Sequence, residues 1–490
     1  MSSIINFKFL TAIFFVATSV LVKSQEPVIF SNDPFSGISA VGISPTQSFL
    51  NPNQYDVHLF SESVFIQNRY GYISKSSLIG LTSGEIKESD IKNNITGENT
   101  KQIWDYFNEE TTGYHFSNEI MGPSFSFNLA IAEKGFSIGL FSKLRTQSSI
   151  TEVDNYLQYT NQEIIEPVLY NLNPFEANFM NWTEIGLNLS TEIIPNSYYA
   201  WIAGVNVKYL MGNDAFYVKN KDQAVMRRED EEITLEDGSL ASQKNLFVSD
   251  FDVEVGYATS YNFDNDAYQY QSLGKGIGFD VGLAFVDFGD YDEGYNFKAS
   301  ANFLDIGVVN FNGFVHSYIG ENFQYTNNPN LEDIEFESPE QYAQIISNEL
   351  YGDPNQSLIS NEFKIGLPTS LHFNASKRMG ENQYVNLDVM QRFPIFENSL
   401  KRSNIVTASY IMSQNKFSYG ASLSAYEYEV FRVGAFLRYG PLIIGSENAL
   451  PFIVPHGKLK GADFYIGFKI YPMRNRDMER RSREKCWCDD

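Results

Sequence analysis

The side chains of this chain that could do chemistry are few and scattered. Five histidines, His58, His115, His316, His372 and His456, stand singly. None falls in the His-Glu-x-x-His spacing that sets two imidazoles on one helical face for zinc. Serines are plentiful, but no Gly-x-Ser-x-Gly elbow stands where a strand turns into a helix, so no activated nucleophile is indicated. Carboxylates gather in DFGDYDEG at 287–294 and around Asp264 and Asp266. A calcium loop would space its oxygen ligands regularly and close on a distant glutamate, and that register is missing. The two cysteines, Cys486 and Cys488, flank Trp487 in a charged tail; two thiolates could begin a soft-metal site but do not fill a tetrahedral one. The residues thus name no catalytic group, no cofactor-binding group and no metal ligand, and the reading is a protein that is not an enzyme.

One stretch invites a sharper question. GKGIGFDVGLAFV at 274–286 carries Gly274, Gly276, Gly278 and Gly282, a density of glycine found in phosphate-cradling loops. Such a loop needs its glycines between a buried strand and a helix, so that phosphate meets the helix N-terminus. No helical pattern follows. Phe279, Val281, Leu283 and Phe285 instead alternate with Asp280, Gly282 and Ala284, which is a strand with one apolar face. Its glycines suit close backbone packing, and Asp280 becomes an inward carboxylate in need of a partner.

The elements that would position these residues follow from composition and periodicity. The chain has 490 residues, a formal net charge of −24, 30 tyrosines and 40 phenylalanines. That balance leaves nothing to neutralise phosphates, so nucleic acid is excluded as a partner. Strands with aromatics and aliphatics on one face and polar groups on the other produce such a mixture. In MGPSFSFNLAIA, Phe125, Phe127, Leu129 and Ile131 oppose Ser124, Ser126, Asn128 and Ala130, and ADFYIGFKIY repeats the pattern near the end. Similar segments are expected at 183–193, 249–262, 276–286, 296–304, 362–377, 383–392, 403–412, 416–425, 429–438 and 462–470. Their length matches the about 9–11 residues with which a barrel strand crosses a bilayer. A soluble sandwich would alternate too, but short turns here contrast with long, polar, acidic segments at 84–118, 146–181, 211–248 and 318–361, as in outer-membrane barrels. Helices are expected within two of them, at 99–110 and at 338–350, where Ser338 can cap and Pro339 opens the first turn.

The expected fold is therefore all-β, a transmembrane antiparallel β-barrel of about 14 strands, between about 12 and 16. Ahead of it, Lys8, a 14-residue apolar run and a polar Lys23-Ser24 read as a signal peptide over 1–24. No later run of 18 apolar residues offers a spanning helix. Residues 25–54 are expected as an N-terminal periplasmic segment or plug, 55–471 as the barrel, and 472–490 as a charged periplasmic tail, with both termini periplasmic.

Several short stretches resemble the outer-membrane barrels of Bacteroidota that include PorV and the PorP/SprF proteins, and more distantly FadL. SFLNPNQYDVHLF keeps Asn51-Pro52 of that family's start to the first strand, with Asn53 in place of alanine. GVNVKYLMGNDAFY at 204–217, the Asp280 and Gly282 strand, the Asp305 and Gly307 strand, LPTSLHFNAS at 367–376 and YGPLIIGSENAL at 439–450 are similar to its other signatures. The resemblance implies no catalytic residue. It implies a structural or interaction barrel serving a secretion, motility or surface-assembly complex, or alternatively a FadL-like or porin-like channel for small or hydrophobic solutes. The expected partners are outer-membrane lipid and, through loops and tail, other cell-envelope or secretion-system proteins.

Overall fold

The computed structural model describes residues 28–470 apart from 70, 75–103, 107–110, 132–133, 155–167, 196–197, 235–237, 264, 266, 290–293, 322, 325–336 and 454–457. The signal-peptide region, His456, Cys486, Cys488 and the tail thus lie outside the described residues.

One antiparallel sheet closes on itself in fourteen strands. We number them β1 (Tyr55–Asn68), β2 (Thr111–Met121 continued by Ser124–Ile131), β3 (Lys134–Asp154), β4 (Phe175–Pro195) and β5 (Tyr199–Asn220). Then follow β6 (Phe251–Ala258 continued by Gly274–Asp287), β7 (Phe297–Gly320), β8 (Leu358–Gly366 continued by Ser370–Gly380) and β9 (Gln383–Arg392). The circuit ends with β10 (Ile405–Ser413), β11 (Phe417–Tyr426), β12 (Val430–Tyr439), β13 (Leu442–Ser446) and β14 (Gly461–Ile470). Each strand pairs with the next, and β14 pairs with β1 from Val57↔Ile470 to Gln67↔Gly461, which leaves no open edge. Closure of this kind satisfies backbone groups that lipid cannot.

The alternation read from the sequence sorts the two faces. Leu187 is 58% exposed and Asn188 beside it 1%, and the same contrast holds between Val281 and Asp280. Apolar side chains form the outer belt, as the bilayer requires, and most polar ones face the lumen. Strands β9 and β12 fall on or within a residue of the expected segments, at 10 residues each.

Several expectations are corrected. The segments 146–181 and 211–248 are not loops throughout: β3, β4 and β5 run for 21, 21 and 22 residues and absorb 146–154, 175–181 and 211–220. At about 3.3 Å per residue, such strands reach roughly 70 Å, well beyond a bilayer core of about 30 Å. Past the lipid the outer face meets water while the inner face stays buried and takes apolar residues such as Met180 and Tyr217, so the sequence alternation fades while the hydrogen-bonded ladder continues. Likewise 111–118 belongs to β2 rather than to a loop. The expected strand 249–262 leaves the wall after Ala258, and its ladder resumes at Gly274, while 362–377 is broken at 367–369. Within the expected helix at 99–110, the described residues Trp104–Tyr106 are extended and pair with Gly71–Ile73.

The other helix is present. α3, Pro339–Tyr351, has the Ser338 side chain accepting the Gln341 N–H and ends at Gly352 in the left-handed conformation, where a side chain would be strained. It lies over the outer end of β7, its Tyr351 hydroxyl accepting the Ile319 N–H at 2.8 Å. Beside it stands a four-stranded sheet of Val168–Leu172, Ala224–Thr234, Leu240–Ser249 and Phe323–Gln324. Both sit at the rim with long connections; the chain ends of the barrel, near Tyr55 and Ile470, sit at the rim with short turns.

Candidate functional site

The inward faces of β1–β14 meet residues 28–54, which lie inside the barrel at its short-turn half. This segment contains α1 (Val28–Ser31), a 3-10 turn (Gly37–Ala40) and α2 (Gln47–Leu50), and every residue of it is buried or half-buried. Glycines of the wall make room for it. Gly204 and Gly282 are paired across β5 and β6, and a Cβ on Gly204 would stand 2.6 Å from the Pro45 backbone and one on Gly282 3.1 Å from the Pro45 ring. The glycine run that resembled a phosphate loop is therefore half of a notch for this segment.

Polar groups tie the segment to the wall. Asn188 donates to the Pro45 carbonyl and Asn206 to that of Val41, both at 2.8 Å. The Asp33 carboxylate accepts from Arg438 Nε at 2.9 Å and Ser413 Oγ at 2.7 Å. Burial alone would push the Asp33 carboxyl up, but Arg438 and the hydrogen bonds from Phe35 N–H and Ser413 hold it below its ordinary value. Lys469 pairs with Asp56 at 2.8 Å and donates to the Phe35 carbonyl at 2.7 Å. Asn128 holds the carbonyls of Asn51 and Asn53, each at 3.1 Å.

Next toward the long-connection rim comes a layer of charge. Lys208 Nζ lies 2.7 Å from Asp280 and 2.6 Å from Asp305. Arg145 reaches Glu184 at 2.9 Å and Asp305 at 2.8 Å, and Arg402 reaches Asp305 at 2.6 Å. Lys143 pairs with Glu119 at 2.7 Å. Consecutive strands β2 to β7 supply all of these but Arg402, and four cations face four carboxylates. Asp305 sits at φ +54°, opposite Asp280 at a break in the β6–β7 register. A non-glycine residue held there costs about 1–3 kcal/mol, which the three cations around its carboxylate offset. Asp280, the inward carboxylate expected to need a partner, has Lys208, Asn206 at 2.8 Å and the Asp305 N–H at 2.7 Å.

Beyond the charge lies an apolar layer that sequence reading missed. Trp182, Leu210, Tyr217, Phe311, Phe363 and Leu367 belong to one buried cluster inside the lumen, with Phe311 stacked on Phe363 at 5.4 Å. Trp182 joins the two layers: its Nε1 donates to Glu184 at 2.7 Å and Arg145 lies over its ring at 4.8 Å. The signal was present in phase, since Leu210 follows Asn206 and Lys208 on the inward side of β5, but the lumen was expected to be polar throughout. The cluster borders both wall breaks, through Ala258 at the break of β6 and Leu367 at that of β8.

Histidines remain dispersed: His58 meets Ser39 Oγ at 2.9 Å, His115 the Tyr426 hydroxyl at 2.6 Å, His316 Ser357 Oγ at 2.8 Å and His372 Asp388 at 3.0 Å. Two lumen cavities measure about 10 Å3 each, room for roughly one water. The sequence motifs do converge here. Asn51 and Asn53, Lys208, Asp280, Asp305, Thr369, whose hydroxyl donates to the Asp305 carbonyl at 2.7 Å, and Glu447, which accepts the Ile29 N–H at 2.8 Å, all face the lumen.

The family described as "Family of unknown function (DUF5723)" matches residues 67–447. Solved structures similar to this chain include the toluene transporter TbuX of Ralstonia pickettii, at 8% identity and a TM-score of 0.35 over 90% of this chain and 98% of that one. A FadL homologue of Pseudomonas aeruginosa is similar at 9% identity and a TM-score of 0.30, over 92% and 99%. Among curated proteins none matches.

Proposed function

We propose that this chain, which belongs to the family of unknown function DUF5723, is an outer-membrane barrel that passes small or apolar solutes, with residues 28–54 as its plug. In this reading the signal peptide is removed after Ser24, the short turns and both termini face the periplasm, and the long connections face outward. The observation that carries it is the layered lumen. Apolar side chains such as Phe311 and Leu367 collect in the lumen beside two breaks in the wall, and the path beyond them is stopped by a segment that is not part of the wall. That segment rests in a glycine notch and is held both by hydrogen bonds and ion pairs, groups that water can satisfy again once it moves, and by apolar contacts, Ile29 and Phe30 packing with Phe436, Val28 and Ile43 with Leu304, and Ile38 and Val41 with Phe141. A seat cut for a separate segment serves a seal that leaves.

The test compares the full chain with a variant lacking residues 28–50, each first shown to be folded by heat-modifiable migration. The intact barrel should be silent in planar bilayers and the deletion should conduct, and vesicles bearing the intact barrel should take up a small aromatic solute faster than empty ones. A folded deletion variant that neither conducts nor speeds uptake would falsify the reading.

A second reading, a non-conducting interaction barrel of a secretion, motility or surface-assembly complex, is favoured by the sealed lumen, by the sheet standing at the long-connection rim and by the motif resemblance to PorV and PorP/SprF. Co-purification of envelope proteins with the detergent-extracted chain, together with unchanged uptake, is the outcome it expects.

A further inference from the structure

Across the lumen from the balanced charge layer, the start of the plug meets an unbalanced group. Glu447 leaves the end of β13 and turns inward: its Oε1 accepts the Ile29 N–H at 2.8 Å, and its own N–H donates to Asp463 Oδ1 at 2.5 Å. Asp463 is 1% exposed, and its Oδ2 has no hydrogen-bond partner. Both carboxyls, with Arg432 and Val28, line a cavity of about 10 Å3. Arg432 faces both carboxyls across this cavity but gives them no hydrogen bond: it donates to Gln67 at 2.5 Å and lies over the rings of Tyr426 and Phe65 at 4.0 and 4.8 Å, and its Nε is unpartnered. The wall is shaped for this contact: a Cβ on Gly434 would stand 2.9 Å from both Glu447 Cα and Ile29 Cδ1.

The groups facing Glu447 are Asp463 on β14, Asp388 on β9, Arg432 on β12 and the Tyr465 hydroxyl on β14. Asp388 is hydrogen-bonded by Asn32, His372 and Asn374 and its charge adds to the repulsion on Glu447, so Glu447 and Asp463 have one guanidinium between them. A buried excess charge is costly, and the group takes up a proton instead. Burial first, and then the Asp463 charge, push the Glu447 carboxyl well above its ordinary value.

We infer that Glu447 and Asp463 carry one negative charge between them and form a proton-dependent latch on the plug at Ile29. With the proton present, the pair is balanced by Arg432 and holds the first turn of the plug. As pH rises the proton leaves, two anions face one cation, and the hold weakens. The sign follows from linkage: an acid whose value is raised in the seated state costs nothing below its free value, and its cost grows, up to about tenfold per pH unit, until the raised value is passed.

This latch rests on residues 28–54 being a displaceable plug, and its test reads seating rather than passage. Hydrogen exchange of the full chain in detergent, corrected for intrinsic rates, is followed from about pH 6 to about pH 9. Protection over 28–32 should fall by about tenfold or more, while 33–51, anchored by Asp33 and Asn206, and the wall strands stay unchanged. Glu447→Gln keeps an acceptor for Ile29 but cannot ionise, so its protection should be high and flat. Asp463→Asn should behave alike and serves where the first variant fails to fold. Flat protection in the unmodified chain, or the same fall in a folded Glu447→Gln variant, overturns the latch. Failure of solute uptake with an intact pH profile would instead count only against passage.

Discussion

The two sides of the lumen bury charge in opposite ways. On strands β2 to β7, Lys143, Arg145 and Lys208, with Arg402, face Glu119, Glu184, Asp280 and Asp305 at ion-pair distances. On the β12 to β14 side, Arg432 stacks on rings while Asp463 keeps an unpartnered oxygen. A matched group is permanent architecture, because removing any member strands a charge. An unmatched group can answer to pH. The plug spans both, so one side fixes where it sits and the other sets how firmly.

The largest blow to this contrast should come from the matched side. Lys208→Met leaves Asp280 and Asp305 short of a cation, and breaking such a buried pair costs about 3–5 kcal/mol. The fall in unfolding temperature measures it, and adding Asp280→Asn should restore part of the loss. If Lys208→Met unfolds at the parent temperature, the layer is not what holds the wall.

The notch comes next. Gly204→Val drives a side chain into the Pro45 backbone, 2.6 Å from its Cβ position, and overpacking of this kind costs about 1–3 kcal/mol. Faster exchange across 41–50 with unchanged wall protection is the expected result.

A pH contrast sharpens the comparison further. Asp33 is held below its ordinary value, so the stability it adds is present at neutral pH and is lost as pH falls through that lowered value, below about 4. Seating near Asp33 should therefore loosen in acid, opposite in sign to the Glu447 latch, and Asp33→Asn should remove the acid step. Exchange profiles at both ends of the pH range distinguish the two.

An effect smaller than that of Lys208→Met is expected at the junction of layers. Trp182→Phe keeps most of the apolar packing but drops the hydrogen bond to Glu184, a loss of about 1–3 kcal/mol for a buried charged acceptor. Should it exceed the Lys208→Met effect in thermal unfolding, the apolar layer and not the charge layer dominates this side.

Much of the wall was legible because lipid imposes a rule that each strand obeys alone. Phe464, Ile466 and Phe468 against Asp463, Tyr465 and Lys469 mark a strand and its two faces without reference to any other segment. The helix at 338–350 was legible for a similar reason, since Ser338, Pro339 and Gly352 act within one turn of its ends. The upper parts of β3, β4 and β5 were not, because water outside and a partly apolar lumen inside, with Met180 and Tyr217 buried there, remove the alternation that a ladder of backbone hydrogen bonds does not need. Residues 99–110 show the converse error: polar and aromatic residues at helical spacing, with Trp104–Tyr106 extended through pairing with Gly71–Ile73.

For the lumen, the amino-acid sequence by itself determined which side chains point inward, among them Lys208, Asp280 and Lys469, and that Asp280 would need a partner. Only the tertiary structure decided which partner. Strand tilt and register set the height of each inward residue, and two residues attract strongly only when closure brings them to one height in a dry interior. That is how Asp33 comes to Arg438 and Ile29 to Glu447, more than 400 positions away, and why the same alternation yields a notch, a charge layer and an apolar layer at three different levels.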